Sequence, residues 1–452
     1  MTTFPVAALP REIQARLVQA GFQAYYVGGC VRDWLRGVPC ADVDIATNAG
    51  LEDITRLFPH AKIVGEAFSV ALVDGVEVAT FRQDGPYTDF RHPDYVRMVA
   101  TIEEDLSRRD FTFNAMAMDA QGVLHDPYGG QRDLTDRMVR FAGAADQRLR
   151  EDPIRAIRAC RFAALIDGTL DEAARVAMQT HGALLGNVPR ERIQFELNKI
   201  LLLDQCGPAL HLLEQTRLLP HMLPRVAVMV GVPQNVVHAE ECWTHTVACV
   251  AGVHKKKLAL RLAALLHDIG KPAARTTDDA GADHFYGHET TGVELAEQEL
   301  RDLRYSNEII AYVDEAIAEH LHRLMFREEM RDSTIRRLMS RLKVLPIRDL
   351  LRLQLADLRA NFRVSYNEQE IRGLLTYALR RIRAIEAAQH ALKITDLCIT
   401  GADVMQHLGI GPGPQVGAAL RFCFEQVLQQ PELNTRADLL NLLQRCAAPP
   451  RG

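Results

Sequence analysis

Strand-like sequence is confined to roughly the first 140 residues of this 452-residue chain, and everything after them reads as helix. Short apolar runs, Ala24–Val27, Val43–Ile45, Ser69–Val73 and Val76–Ala79, are separated by Gly, Asp and Asn turn signals. Asp74-Gly75 between the last two predicts a two-residue hairpin turn. The polar stretch from Gln83 to Tyr95, with its Pro and Gly, predicts a flexible loop. From Asp152 onward apolar residues fall at helical spacing, as in Ile154, Ile157, Phe162 and Leu165. Asp152-Pro153 is a suitable helix start: a capping acceptor, then a ring whose φ is already helical. Loops are expected near Gly186–Pro189, Gly231–Gln234, Asp278–Asp283 and Gly409–Pro414. The pattern predicts a small α/β head on a long α-helical body.

Such a length exceeds one ordinary core, so several domains are expected, about three on length alone. Hydrophobic content of 48% and charged content of 25% are those of a globular chain. No run approaches the ~20 apolar residues of a membrane helix, and the first ten residues lack the pattern of a signal peptide. The nine cysteines are scattered with no CxxC pair, which fits reduced thiols in a cytoplasmic protein. A net charge of −5 does not announce a nucleic-acid binder. Basic residues nevertheless cluster at Arg155, Arg158 and Arg161 and again from Arg323 to Arg363, either as solvated helix faces or as a surface that tracks phosphates.

Gly28-Gly29-Cys30-Val31-Arg32-Asp33 follows a short strand and opens a helix. Two glycines there allow backbone N–H groups to approach a triphosphate, and Arg32 suits either a phosphate or a carboxylate partner. Downstream, Asp42-Val43-Asp44 places two carboxylates on one strand face, where they can share divalent cations. An isolated acidic pair is commoner in turns; its position after the glycine motif favours the metal site. Glu77, between Val76 and Val78, suits either a third carboxylate or an outward-facing strand position. Arg108-Arg109-Asp110 offers donors for triphosphate oxygens and an acceptor for a ribose hydroxyl, or else a helix-entry ion pair. In Glu151-Asp152-Pro153-Ile154-Arg155, positions 152, 155 and 158 share a helical face. Asp152 and Arg155 then present an acceptor and donors that match a base edge, or an N-cap with intrahelical ion pairs.

The ordered set GGCVRD, DVD, RRD, DPYGG (Asp126 to Gly130) and EDPIR resembles the class II CCA-adding enzymes and related bacterial poly(A) polymerases, within the polymerase-beta-like nucleotidyltransferases. The resemblance is strong over about residues 22 to 205 and looser beyond. It implies that Gly28 and Gly29 hold the triphosphate and that Asp42 and Asp44 bind two Mg2+ ions; Arg32 and Glu77 keep both readings given above. It further implies that Arg108, Arg109 and Asp110 contact the incoming nucleotide and that Asp152 and Arg155, with Arg158 and Arg161 behind them, select ATP and CTP. The implied reaction is in-line attack of a tRNA 3′-hydroxyl on the α-phosphate, with pyrophosphate leaving. Arg82, Asp89, Arg91, His92 and Pro93 resemble the flexible loop of complete CCA-adding and A-adding enzymes, against a CC-only enzyme. Val64-Gly65-Glu66-Ala67-Phe68 lacks the arginine pair typical of the poly(A) polymerases, which favours tRNA as substrate.

A second constellation lies in Leu265-Leu266-His267-Asp268-Ile269-Gly270-Lys271, with His245 before it and Asp357 well after it. Imidazoles and carboxylates from several helices can assemble a divalent-metal site. The string resembles an HD phosphohydrolase domain, which implies His245, His267, Asp268 and Asp357 as ligands of a second divalent metal. His288 and His320 then support the ligands from behind or contact a phosphate. The expected divisions are a nucleotidyltransferase head at 1–145, a helical nucleotide-selecting and RNA-binding neck at 146–230, an HD domain at 231–365 and a helical tail at 366–452. Competing readings are an HD hydrolase as the main activity, a poly(A) polymerase, and a non-catalytic RNA-binding protein.

Overall fold

The computed structural model describes residues 7–40, 42–65, 69–85, 95–234, 241–253, 257–322, 331–361, 367–388 and 390–447. Asp89, Arg91, His92 and Pro93, Glu66 to Phe68, and parts of the basic stretch from Arg323 to Arg363 lie outside the described residues. The chain separates into two compact units: Met1–Val230 with Glu299–Tyr305, and Gly231–Gln298 with Ser306–Gly452.

The first unit is built on a seven-stranded mixed sheet. Its spatial order is Lys62–Gly65, Val70–Val73, Val76–Thr80, Asp44–Thr47, Ala24–Val27, Ala117–Met118 and Leu124–His125. The turn expected at Asp74-Gly75 is present, with φ of 49° and 94°. Two successive positive φ values give a twist that matches the flanking strands. In Val76–Thr80 the odd positions in the run are buried and Glu77 is exposed, so alternation sends one face to the core and Glu77 to the other. Asp44–Thr47 runs parallel to Val76–Thr80 with Asp44 directly opposite Glu77. At the ends of the expected loop, Arg82–Asp84 pairs antiparallel with Val96–Met98.

Helices complete this unit. Ile154–Leu165 buries nine of its residues, among them Ile157, Cys160 and Phe162. The Asp152 carboxylate accepts from the Ile154 N–H at 3.3 Å, and Pro153 has φ −61°, as its ring requires. Arg190–Leu201 buries Ile193, Leu197, Ile200 and Leu201 on one side, which frees the opposite side to line a cleft.

The second unit is helical apart from a two-stranded ladder, Thr276–Thr277 with Asp283–His284, around the loop expected at Asp278–Asp283. Helices Cys242–Gly252, Leu258–Leu266, Asn307–Glu319 and Ile347–Ala360 each bury an apolar face. Gly270 permits a close approach among them: a Cβ there would lie 2.1 Å from the His288 carbonyl oxygen. Toward the C-terminal end, Val404, Cys423, Val427, Leu439 and Leu443 form a separate core cluster. Among the described residues, no helix is long and apolar enough to cross a membrane.

Candidate functional site

A cleft of about 1160 Å³ opens in the first unit, lined by residues of the sheet, of Ile154–Leu165 and of Arg190–Leu201. Gly28 has φ +70°, and a Cβ on it would lie 2.8 Å from an Arg109 guanidinium nitrogen. Only glycine accepts both conditions without strain, and the result is a cationic group held against a backbone turn. Asp44 lines the same cleft. Burial, then the neighbouring Glu77 carboxylate, raises its pKa to about 6 despite the pull of Arg109. A carboxyl group whose ionised form is disfavoured by burial and a neighbouring carboxylate is suited to a cation. Asp42 is exposed and sits just before the strand, which begins at Asp44, so strand alternation does not extend to it.

The arginines expected to face a nucleotide are tied to carboxylates. Arg108 bonds Asp105 at 2.9 Å and Arg109 bonds it at 3.2 Å. Arg32 pairs with Asp33 at 2.9 Å and donates to the Asn114 amide oxygen at 2.8 Å. Asp110 is buried, and the Arg158 guanidinium holds it at 2.5 and 2.8 Å. Burial pushes the Asp110 carboxyl up, but Arg158 and the Asn114 amide outweigh it and leave its pKa at about 2. Arg161 bonds Glu196 at 2.7 Å and lies over the Phe162 ring at 4.3 Å. Arg155 pairs with Glu151 at 2.9 Å and donates to the Arg108 carbonyl at 3.1 Å.

Asp152 is gripped from a direction the sequence did not announce. Both its oxygens accept from Arg192, at 3.1 and 2.7 Å, a two-point contact that fixes the carboxylate plane. Arg192, Phe195, Glu196 and Lys199 line the cleft from one helix, at spacings of three and four residues. That spacing in Arg192–Lys199 was the available signal, but a charged helical stripe reads equally well as a solvated face.

In the second unit six buried groups converge. His245, His267 and Asp357 form one set of ligand atoms within 4.8 Å of one another, and Asp268, His288 and His320 form another. Asp268 touches both: one oxygen is 3.1 Å from His267 Nε2 and the other 3.5 Å from His288 Nε2. The Nδ1–H groups of His267, His288 and His320 donate to the carbonyls of Ala264, Phe285 and Ile317 at 2.8, 2.7 and 2.6 Å. This fixes each ring with its Nε2 lone pair turned inward. Lys271 lies 2.7 Å from Asp268 and donates to the Gln234 side chain at 2.6 Å. Burial lowers the His320 pKa to about 4.

Three stretches match family models: residues 24–140 the poly A polymerase head domain, 169–229 the probable RNA and SrmB-binding site of polymerase A, and 242–353 the HD domain. The chain is 33% identical to the A-adding tRNA nucleotidyltransferase of Deinococcus radiodurans, over 88% of this chain and 90% of that protein. It is 42% identical to the CCA-adding enzyme of Geobacillus kaustophilus, over 48% of this chain and 54% of that one. It therefore spans about half the length of the CCA-adding relatives it matches first. The crystal structure of the Bacillus stearothermophilus CCA-adding enzyme in complex with CTP is similar at TM-score 0.71 and 25% identity, covering 97% of this chain and 96% of that one. The Thermotoga maritima CCA-adding enzyme complexed with tRNA shares the fold at TM-score 0.59 and 19% identity, over 97% and 95% of the two chains.

Proposed function

Because this chain belongs to the tRNA nucleotidyltransferase family, with its poly A polymerase head and HD domain, we propose that it adds C and A, or the terminal A, to the 3′ end of tRNA without a template. The observation that carries the reading is that Asp44, in register with Glu77 on the next strand, lines one cleft with Gly28, Arg109, Asp152 and Arg155. Oxygen donors of this kind suit Mg2+, and Asp42, Asp44 and Glu77 are the residues that would hold it. Bound Mg2+ supplies Lewis acidity, easing loss of the RNA 3′-hydroxyl proton and neutralising charge on the phosphates.

The chain's own groups do the rest. Gly28 and Gly29 bring backbone N–H groups to the triphosphate, with Arg109 beside them and Arg32 and Arg108 on the cleft wall. Asp110 keeps Arg158 fixed while facing the ribose, and Arg161 braces Phe162 below. Asp152 accepts from the base amino group that ATP and CTP share, Arg155 donates to the neighbouring ring positions, and Arg192 keeps Asp152 oriented. The head and neck boundaries expected at 1–145 and 146–230 put both halves of this cleft in adjacent segments. Scattered cysteines without a CxxC pair, free where described, fit a cytoplasmic setting. The test is incubation of the protein with Mg2+, labelled CTP or ATP, and tRNA ending before its last one or three nucleotides. Addition of one A only, or of CCA, assigns the member of the family; untemplated tails on unrelated RNA would instead indicate a poly(A) polymerase.

The histidine cluster favours a second reading for residues 231–365. Six inward-facing donors, three of them on carbonyl-fixed rings, suit a divalent metal, which His245, His267, Asp268 and Asp357 would hold with His288 and His320 beside Asp268. We propose a metal-dependent phosphohydrolase there. Release of phosphate from a 2′-phosphorylated or 2′,3′-cyclic substrate, lost in Asp268→Ala, is the expected result; equal rates in the two proteins would remove the claim.

A further inference from the structure

Phe195 is the one exposed phenylalanine among the described residues. It is 57% exposed, although the helix that carries it buries four aliphatic residues on its other side. It opens onto a cleft lined by nine Arg or Lys and six Asp or Glu side chains, a lining with an excess of positive charge. The Lys199 ammonium stands 4.1 Å from the centre of its ring, over one face. Glu196 fastens the same helix to Arg161 at 2.7 Å, and Arg192 fastens it to Asp152 at 2.7 Å. The ring is therefore held on a rigid element next to the base-reading carboxylate, and its exposure is built in by the residues around it.

An aromatic ring beside an ammonium in a cationic groove is the arrangement that binds single-stranded nucleic acid by stacking. We propose that Phe195 is the platform on which the base at the 3′ end of the RNA stacks, with Lys199 contacting the adjoining phosphate. The inference rests on the nucleotide-adding function proposed above and identifies how that site holds its growing end. The terminal base changes with every addition, so the contact that holds it must tolerate any base. Stacking does so because every base has a π-face, whereas Asp152 and Arg155 read an edge and suit the incoming nucleotide. The helix lies within the segment that matches the RNA-binding model, residues 169–229.

The test compares wild type with Phe195→Ala, Phe195→Leu and Phe195→Trp, using tRNA that ends before its CCA. RNA affinity is measured without nucleotide by fluorescence anisotropy, and KM for CTP and ATP by extension. Phe195→Ala and Phe195→Leu should weaken RNA binding about 5- to 100-fold, the range of one lost base stack. Phe195→Trp should restore it, with KM for CTP and ATP and the melting temperature unchanged throughout. A tRNA with an abasic 3′-terminal residue should bind wild type as weakly as intact tRNA binds Phe195→Ala, without further loss when the two are combined. Unchanged RNA affinity in Phe195→Ala, a rise only in nucleotide KM, or losses that simply add would overturn the proposal. Binding is read separately from extension, so a wild-type protein that adds no nucleotide would remove the proposed activity while the ring's role is still decided.

Discussion

The cleft of the first unit and the histidine cluster of the second both suit divalent cations, yet they are made in opposite ways. The cleft's metal-site acid, Asp44, opens a sheet strand opposite the exposed Glu77, with exposed Asp42 just before that strand, and the cations lining the cleft are arginines tied to their own carboxylates. The cluster is buried on every ligand, and three of its rings are locked by backbone carbonyls three residues earlier in the chain. The first arrangement suits large substrates that arrive together with their metal. The second suits a resident metal and a small reacting group. Burial, not ligand identity alone, separates a site that assembles on demand from one that is prebuilt.

Removing a cleft acid should show the largest effect. Asp44→Ala is expected to lower nucleotide addition at least about a thousandfold, the several kcal/mol that metal-assisted charge stabilisation supplies, while leaving the cluster's metal content unchanged. Loss of metal from both regions in this variant would break the contrast. The reverse experiment is Asp268→Ala, which should weaken metal retention at least about a hundredfold by elemental analysis of the purified protein, because this carboxylate touches both ligand sets. Nucleotide addition should stay within about twofold, since the cleft and the cluster have no residue in common among the described residues.

A smaller effect tests whether ion pairs hold the cleft together. Asp110 has its pKa lowered from 3.8 to about 2, so the pair with Arg158 contributes fully above pH 4 and is lost as pH falls toward 2. Over that window wild type should lose about 2 kcal/mol from this group, measured by denaturant midpoints. Asp110→Asn should begin less stable at pH 5 and show a flatter decline; parallel pH curves would assign acid sensitivity elsewhere. The smallest shift is expected from Arg192→Ala. Without its two-point partner Asp152 can rotate, and discrimination of ATP and CTP against GTP and UTP should fall about tenfold in kcat/KM, the worth of a charge-assisted bond. Undiminished discrimination would mean that Asp152 is oriented by the Ile154 N–H alone.

Elements whose signal is local were legible. Asp74-Gly75 announced its hairpin because positive φ at two successive residues needs those side chains, and Asp152-Pro153 announced a helix start for similar reasons. The HD string showed that His267 and Asp268 end a helix, and they do. What depends on packing was not legible. His288 reaches Asp268 because Gly270 lets the backbone at His288 lie close, and His320 comes from another helix again, facts about neighbours apart in sequence. Arg158 and Arg161 could not be told apart from free phosphate-binding arginines until Asp110 and Glu196 were seen to meet them. Phe195 and Arg192 sat in an ordinary amphipathic stripe, and only the cleft gives that stripe a purpose.

The pairing of Asp44 with Glu77 across adjacent parallel strands has one more consequence. Neighbouring strands lie about 4.8 Å apart in any sheet because hydrogen-bond length sets the interval. The gauge of this acidic pair is thus a property of the peptide backbone, insulated from drift in the side chains packed beneath it. Lineages can rewrite the hydrophobic layer under these strands and still inherit the same separation between their charges, so long as the register of two strands survives.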